Sequence, residues 1–210
     1  VVTKSISNLD SLKLIDENNE MCYGCNQEWY PKKWQKISGC GPTTACNILL
    51  CSNFFGLNDE LGPRNNSKES GLSLMEEVWD YITPAENGIP TTGIFCQDID
   101  NYFQSKGQKI VCHVMDIPEE KHLRPGLRDV IDFIEEAVLL DSPVAFLNLC
   151  NGEVDELDEW HWVSIVSVKF DEDSNAGYVE IVDGGLIKLI DFTLWYNTTK
   201  LGGGLAYMTV

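Results

Sequence analysis

The stretch SGCGPTTACNILL, residues 38–50, decides how the rest of the chain is read. Pro42 suits the first turn of a helix, and Ala45, Ile48 and Leu49 recur at helical spacing, so a helix is expected over Gly41 to Cys51, starting at Cys40 or just after it. A cysteine at the mouth of a helix faces unpaired backbone N–H groups and the positive end of the helix dipole, and both favour thiolate over thiol. Gly39 and Gly41 permit a tight turn into the helix and are expected to leave room for a substrate backbone. The plain alternative is a turn with a small side chain at its cap.

A thiolate nucleophile needs a base, and the chain has three histidines. His122 lies in the charged loop EEKHLRPG and reads as a solvated surface residue. His113 sits in the expected strand KIVCHVM and reads as a strand-face residue. His161 opens WHWVSIVSV between Trp160 and Trp162, directly after the acidic loop EVDELDE, where a strand end holds an imidazole fixed and accessible. The pair also needs an acceptor that sets the ring's tautomer and orientation. Asp183 ends YVEIVD before Gly184 and Gly185, on a strand expected to neighbour that of His161; Asp191, inside the next apolar run, is the weaker choice. Acyl transfer further needs donors for an oxyanion, for which the Cys40 backbone N–H and the amide of Gln27 or Gln35 are candidates.

Around these positions the first half reads as mostly helical. A helix is expected from Ser73 to Ile82, with Leu74, Val78 and Ile82 on one face and Pro84 beyond it, and another from Phe95 to Ser105. The second half carries one amphipathic helix from Leu127 to Leu140 and five β-rich runs, PVAFLNL, HWVSIVSVKF, GYVEIVD, LIKLIDF and GLAYMTV, separated by Asp, Asn and Gly clusters. A meandering antiparallel sheet fits that spacing, and the polar opening to Glu20 reads as an arm or edge strand. The expectation is one α+β unit over 1–210, with a helical lobe at 22–108 packed on a β-rich lobe at 109–210.

Composition narrows the function. The 210 residues carry 15 Lys and Arg against 33 Asp and Glu, a net charge of −18 that would repel a nucleic-acid backbone or an anionic membrane. No apolar run approaches the roughly 20 residues of a membrane span. Eight cysteines invite a disulfide framework, but Cys46 and Cys51 in TACNILLC and Cys112 in KIVCHV lie in apolar runs and read as buried thiols. Cys22 and Cys25 form a C-x-x-C, a redox pair or half a zinc site, without a second half elsewhere. No metal and no cofactor is expected. Free thiols suit a reducing cytoplasm; the first residue is Val, so a removed leader, which would suit export, is the other expectation.

The order Gln, Cys, His, Asp resembles the papain-like cysteine peptidase superfamily, and more narrowly its C39-like bacterial group, through NQEWYP at 26–31, GCGPTT at 39–44, WHWVSIV at 160–166 and VDGG at 182–185. The resemblance implies a papain-like fold with Cys40 as nucleophile, His161 as base and acid, and Asp183 as orienting residue. Papain-like peptidases carry a glutamine shortly before the cysteine, where Gln35 stands, but the N-Q-x-W form favours Gln27 as oxyanion donor. A peptide or protein substrate follows, contacted by Gly39, Gly41, Trp160 and Trp162. The same residues would serve an acyltransferase or transglutaminase-like enzyme. The other class is a silent papain-fold binding module with Trp29, Trp34, Trp160, Trp162 and Trp195 as its contact surface.

Overall fold

The computed structural model describes residues 2–51 and 65–210. The helix begun by Cys40 runs Cys40–Leu50 (α2) and is buried from Gly41 to Leu50. A helix apolar on nearly every side needs a wall on nearly every side. One wall is a seven-stranded antiparallel sheet, on which α2 packs through strands Val144–Asn148 (β5) and His161–Asp171 (β6); another is helix Lys68–Trp79 (α3).

The other strands of that sheet are Val2–Ser5 (β1), Val111–Ile117 (β4), Ala176–Asp183 (β7), Leu186–Asp191 (β8) and Gly203–Thr209 (β9). Their order is β4-β9-β5-β6-β7-β8, with β1 paired to the far half of β6. Four of the five runs, β5 through β8, form the expected meander; the fifth, β9, does not follow β8 but returns to pair between β4 and β5. The polar opening is thus an edge strand, β1. The amphipathic helix Leu127–Leu139 (α5) lays Val130, Ile131, Ile134 and Val138 on β6, β1 and β5. Helix Thr92–Ser105 (α4) covers β4 and β9.

Several boundaries differ from the sequence reading. α3 starts five residues before Ser73, because the Ser67 hydroxyl accepts from Ser70 N–H and caps a polar first turn that lacks apolar periodicity. α4 starts at Thr92, capped by the Thr91 hydroxyl. The run LIKLIDF is not all strand: Asp191 ends β8 and caps helix Phe192–Thr198 (α6) by accepting from Leu194 N–H at 2.8 Å, which accounts for its carboxylate. The segment before Cys40 holds a small hairpin, Lys13–Ile15 (β2) with Met21–Tyr23 (β3), and a short helix, Lys33–Ser38 (α1). Cys112 is not a buried thiol: α4 packs on β4, bringing Cys96 and Cys112 to a Cα separation of 6.0 Å, and they form a disulfide. Cys46 and Cys51 are buried thiols, with burial pushing Cys51 up to about 12. Among the described residues no helix is long and apolar enough to cross a membrane.

Asn148 ties the sheet to the loop that leads into β6. It is fully buried, pairs with His161 across β5 and β6, donates from Nδ2 to the Asp158 carbonyl at 2.6 Å, and accepts from the Trp195 indole at 2.8 Å. Asn148→Ala leaves that carbonyl unpaired and a cavity beside Trp195, so a loss of about 2 kcal/mol is expected in urea unfolding. An unchanged midpoint would show that the network contributes nothing.

Candidate active site

Three strands present one diagonal row of polar side chains. β6 and β7 pair Ser164 with Val182; continuing that register sets Val163 opposite Asp183, so His161 lies two residues along on the same face. β7 and β8 turn through Gly184 and Gly185, both at positive φ, 59° and 81°, as a two-residue hairpin requires. That turn pairs Asp183 with Leu186, and Lys188, two residues on, again shares the face. The contacts follow the row. His161 Nε2 meets Asp183 Oδ1 at 2.8 Å, and Lys188 Nζ donates to Asp183 Oδ2 at 2.6 Å.

Cys40 meets this row from α2. It lines the same cavity as His161, and with Nε2 given to Asp183 the ring leaves Nδ1 for the sulfur. Burial works against a charged ring, but the bonds to Asp183 and Cys40 and their charges outweigh it, holding the His161 pKa up at about 10. For Asp183 burial likewise opposes ionisation, and His161 and Lys188 overcome it, drawing the carboxyl down to about 2. The ring and the carboxylate are therefore a charged pair at neutral pH.

A cavity of about 330 Å³ opens on these groups, and its lining includes Gln27, Cys40, Asp158, His161, Asp183 and Lys188. Gln27 is brought there by a strap. Asn26 Nδ2 donates to the Gly184 carbonyl at 2.9 Å, Tyr23 N–H donates to the Gly185 carbonyl at 2.8 Å, and Asn47 of α2 accepts from Cys25 N–H at 2.8 Å. The strap is thus fastened to both the β7–β8 turn and the helix that carries Cys40. Gln27 Nε2 donates to the Lys36 carbonyl at 2.5 Å, which leaves its second N–H for a ligand. Gln35 is buried away from the cavity, its Oε1 accepting from Lys32 N–H in the first turn of α1.

Other sequence expectations need correction. Gly39 and Gly41 do not line the cavity. A Cβ on Gly39 would meet Tyr30 and the Gln35 carbonyl, and one on Gly41 would meet Ile89, so both glycines admit neighbouring protein and not substrate. Trp162 borders the cavity but is 2% exposed, stacked on Phe95 at 4.6 Å with its indole donating to the Ile89 carbonyl at 2.8 Å. Trp160 is 57% exposed outside the cavity; its φ of 53° turns the chain just before His161. Trp195 is wholly buried, so the proposed aromatic contact surface shrinks to its exposed members. Cys22 and Cys25 are both free thiols, and the Cys25 thiol donates to the Gly71 carbonyl at 3.9 Å instead of pairing with Cys22. His113 stacks on Tyr207 and meets Thr209 Oγ1 at 2.9 Å, as a strand-face residue, and His122 is exposed.

Sequence reasoning missed Lys188, Asp158 and Asn26. Asp158, His161 and Asp183 offer ligand atoms within 4.8 Å of one another, a spacing that could hold a metal ion. Both Asp183 oxygens are already engaged, however, so a cation there would have to displace the Lys188 ammonium or the ring proton.

No family profile matches the chain, and no curated protein matches it in sequence. Among solved structures it is similar to UfSP from C. elegans, with a TM-score of 0.55 at 10% identity over 99% of this chain. The chain spans about a third (34%) of that protein's length. The mixed architecture with its antiparallel sheet is the papain-like fold.

Proposed function

We propose that this chain is a cysteine peptidase that hydrolyses peptide or amide bonds through Cys40, His161 and Asp183. The observation that carries the reading is the 2.8 Å contact of His161 with Asp183, with Cys40 facing the same cavity from the start of a buried helix. Its likeness to UfSP supports the fold on which this reading is built. The motif set GCGPTT, HWV and VDGG supports a place near the C39-like group, with residues 1–210 acting as one unit.

In the mechanism, Cys40 Sγ as thiolate attacks the carbonyl carbon, and the negative charge that develops on its oxygen is met by the Cys40 backbone N–H and the free N–H of Gln27. The C–N bond breaks as the His161 imidazolium gives its proton to the departing amine. Water, deprotonated by the now neutral ring, then attacks the thioester, releasing the acid and restoring the thiolate–imidazolium pair. A resolving amine in place of water would give acyl transfer from the same thioester.

Glu28 and Asp158 line the cavity, and Glu153, Asp155, Glu156 and Glu159 stand in the loop that supplies Asp158. This acidity favours substrates with Lys or Arg near the scissile bond. Matched basic and acidic peptide libraries test it, and equal cleavage would remove the preference.

The first test of the mechanism is alkylation by iodoacetamide, followed at each cysteine by mass spectrometry. Cys40 should react fast below pH 7 and lose at least about tenfold in rate in His161→Ala. An ordinary thiol profile, with a pKa near about 8.5, would turn the reading to a binding module. Asp183→Asn removes the charge that favours the protonated ring, so the His161 pKa should fall by about 1–3 units and carry the alkaline limit of activity down with it. Stability follows the same sign. The raised His161 pKa stabilises the fold fully below about pH 6.5, and that contribution fades as pH rises through about 10. The gap in unfolding free energy between the wild type and His161→Ala should accordingly narrow over that window, and a constant gap would contradict the charged ring.

A further inference from the structure

Asp183 does not face His161 alone. Its second oxygen holds Lys188 at 2.6 Å, and this contact exists only because the Gly184–Gly185 turn sets β8 in the register that puts Lys188 diagonally across from Asp183. A slip of one residue would send the lysine to the other face of the sheet. The Lys188 side chain is partly exposed, 33%, while that of Asp183 is mostly covered, 13%. The ammonium therefore sits at the outer edge of a row that runs inward from Lys188 through Asp183 and His161 to Cys40.

Such a row raises a conflict that a lone carboxylate would not resolve. A bare aspartate orients the imidazole well but also binds its proton tightly, and a proton held too firmly is given up poorly to a leaving amine. Resting on the peptidase reading above, we propose that Lys188 is a positioning residue: its ammonium fixes the rotation of the Asp183 carboxylate and offsets part of its charge, so that Asp183 orients His161 while binding its proton less tightly than a bare carboxylate would. The other charged or titratable groups that line the cavity beside this row are Cys40 from α2, Asp158 from the loop before β6, and Cys25 and Glu28 from the strap, none of which supplies a positive charge in place of Lys188. Both oxygens of Asp183 are then occupied, one by a donor it orients and one by a donor that holds it.

The test measures Cys40 alkylation by iodoacetamide from about pH 5 to 11 in the wild type, Lys188→Met and Lys188→Arg. Methionine keeps an apolar stem without charge, and arginine restores the charge. In the wild type the rate should show an upper step where the ring loses its proton and the thiolate is freed from its partner. Removing the ammonium leaves the carboxylate uncompensated, so this step should move up by about one pH unit in Lys188→Met and return near its wild-type position in Lys188→Arg. The sign separates this role from a merely structural one, because a loosened hairpin would part Asp183 from the ring and move the step down. A fast-reacting wild-type Cys40 with an unmoved or lowered step in Lys188→Met would overturn the role of Lys188 and leave the peptidase reading standing. A slow, ordinary Cys40 in the wild type would overturn both.

Discussion

The burial of α2 is the constraint from which the rest follows. A helix enclosed from Gly41 to Leu50 cannot shift without opening the core, so the sulfur at its start is fixed relative to the sheet beneath it. β5 and β6 form that floor, and β6 starts with His161 where α2 starts with Cys40. Gly39 and Gly41 belong to the same constraint: they let Tyr30, the Gln35 carbonyl and Ile89 close around the mouth of the helix. The site is thus a product of packing before it is a product of chemistry.

Strand register supplies the second half of the arrangement. His161, Asp183 and Lys188 come from three neighbouring strands and share one face because each is displaced by two residues from direct opposition. The two-glycine turn between β7 and β8 sets that displacement, and the strap bearing Gln27 is fastened to the same turn through Asn26 and Tyr23. Gly184 and Gly185 thereby govern both the orientation of the imidazole and the placement of the amide, though neither presents a functional side chain. The electrostatics follow from the geometry, since each burial cost on His161 and Asp183 is offset by the other's charge.

Much of this could be read in the sequence, and the boundary is physical. Cys40 stood out because Gly-Cys-Gly-Pro carries a helix start in its own local chemistry, and His161 and Asp183 stood out because strand ends are marked by composition. The four-strand meander and α5 were legible for the same reason, since apolar periodicity is a local signal. Lys188 was not legible, because its meeting with Asp183 depends on hairpin register and not on any feature of LIKLI itself. The Cys96–Cys112 disulfide is a contact between a helix and a strand, invisible in two apolar runs that read equally well as homes for free thiols. α6 did leave a local trace, Asp191 placed to cap Leu194, which the β-branched character of the run before it masked. Trp162 and Trp195 show the opposite case: as aromatic residues they read in the sequence as contact surface, and they fill the core.

The proposed mechanism needs His161 to be an imidazolium at neutral pH, held so by Asp183 and Cys40. The most direct measurement is a titration of the His161 ring by NMR, using ring-labelled histidine in the wild type and in Cys40→Ala. The ring should stay protonated past pH 8, with a pKa of about 10, and titrate lower once the thiolate is removed. A ring that is neutral at pH 7.5, titrating near the ordinary value of about 6.5 in both proteins, would contradict it.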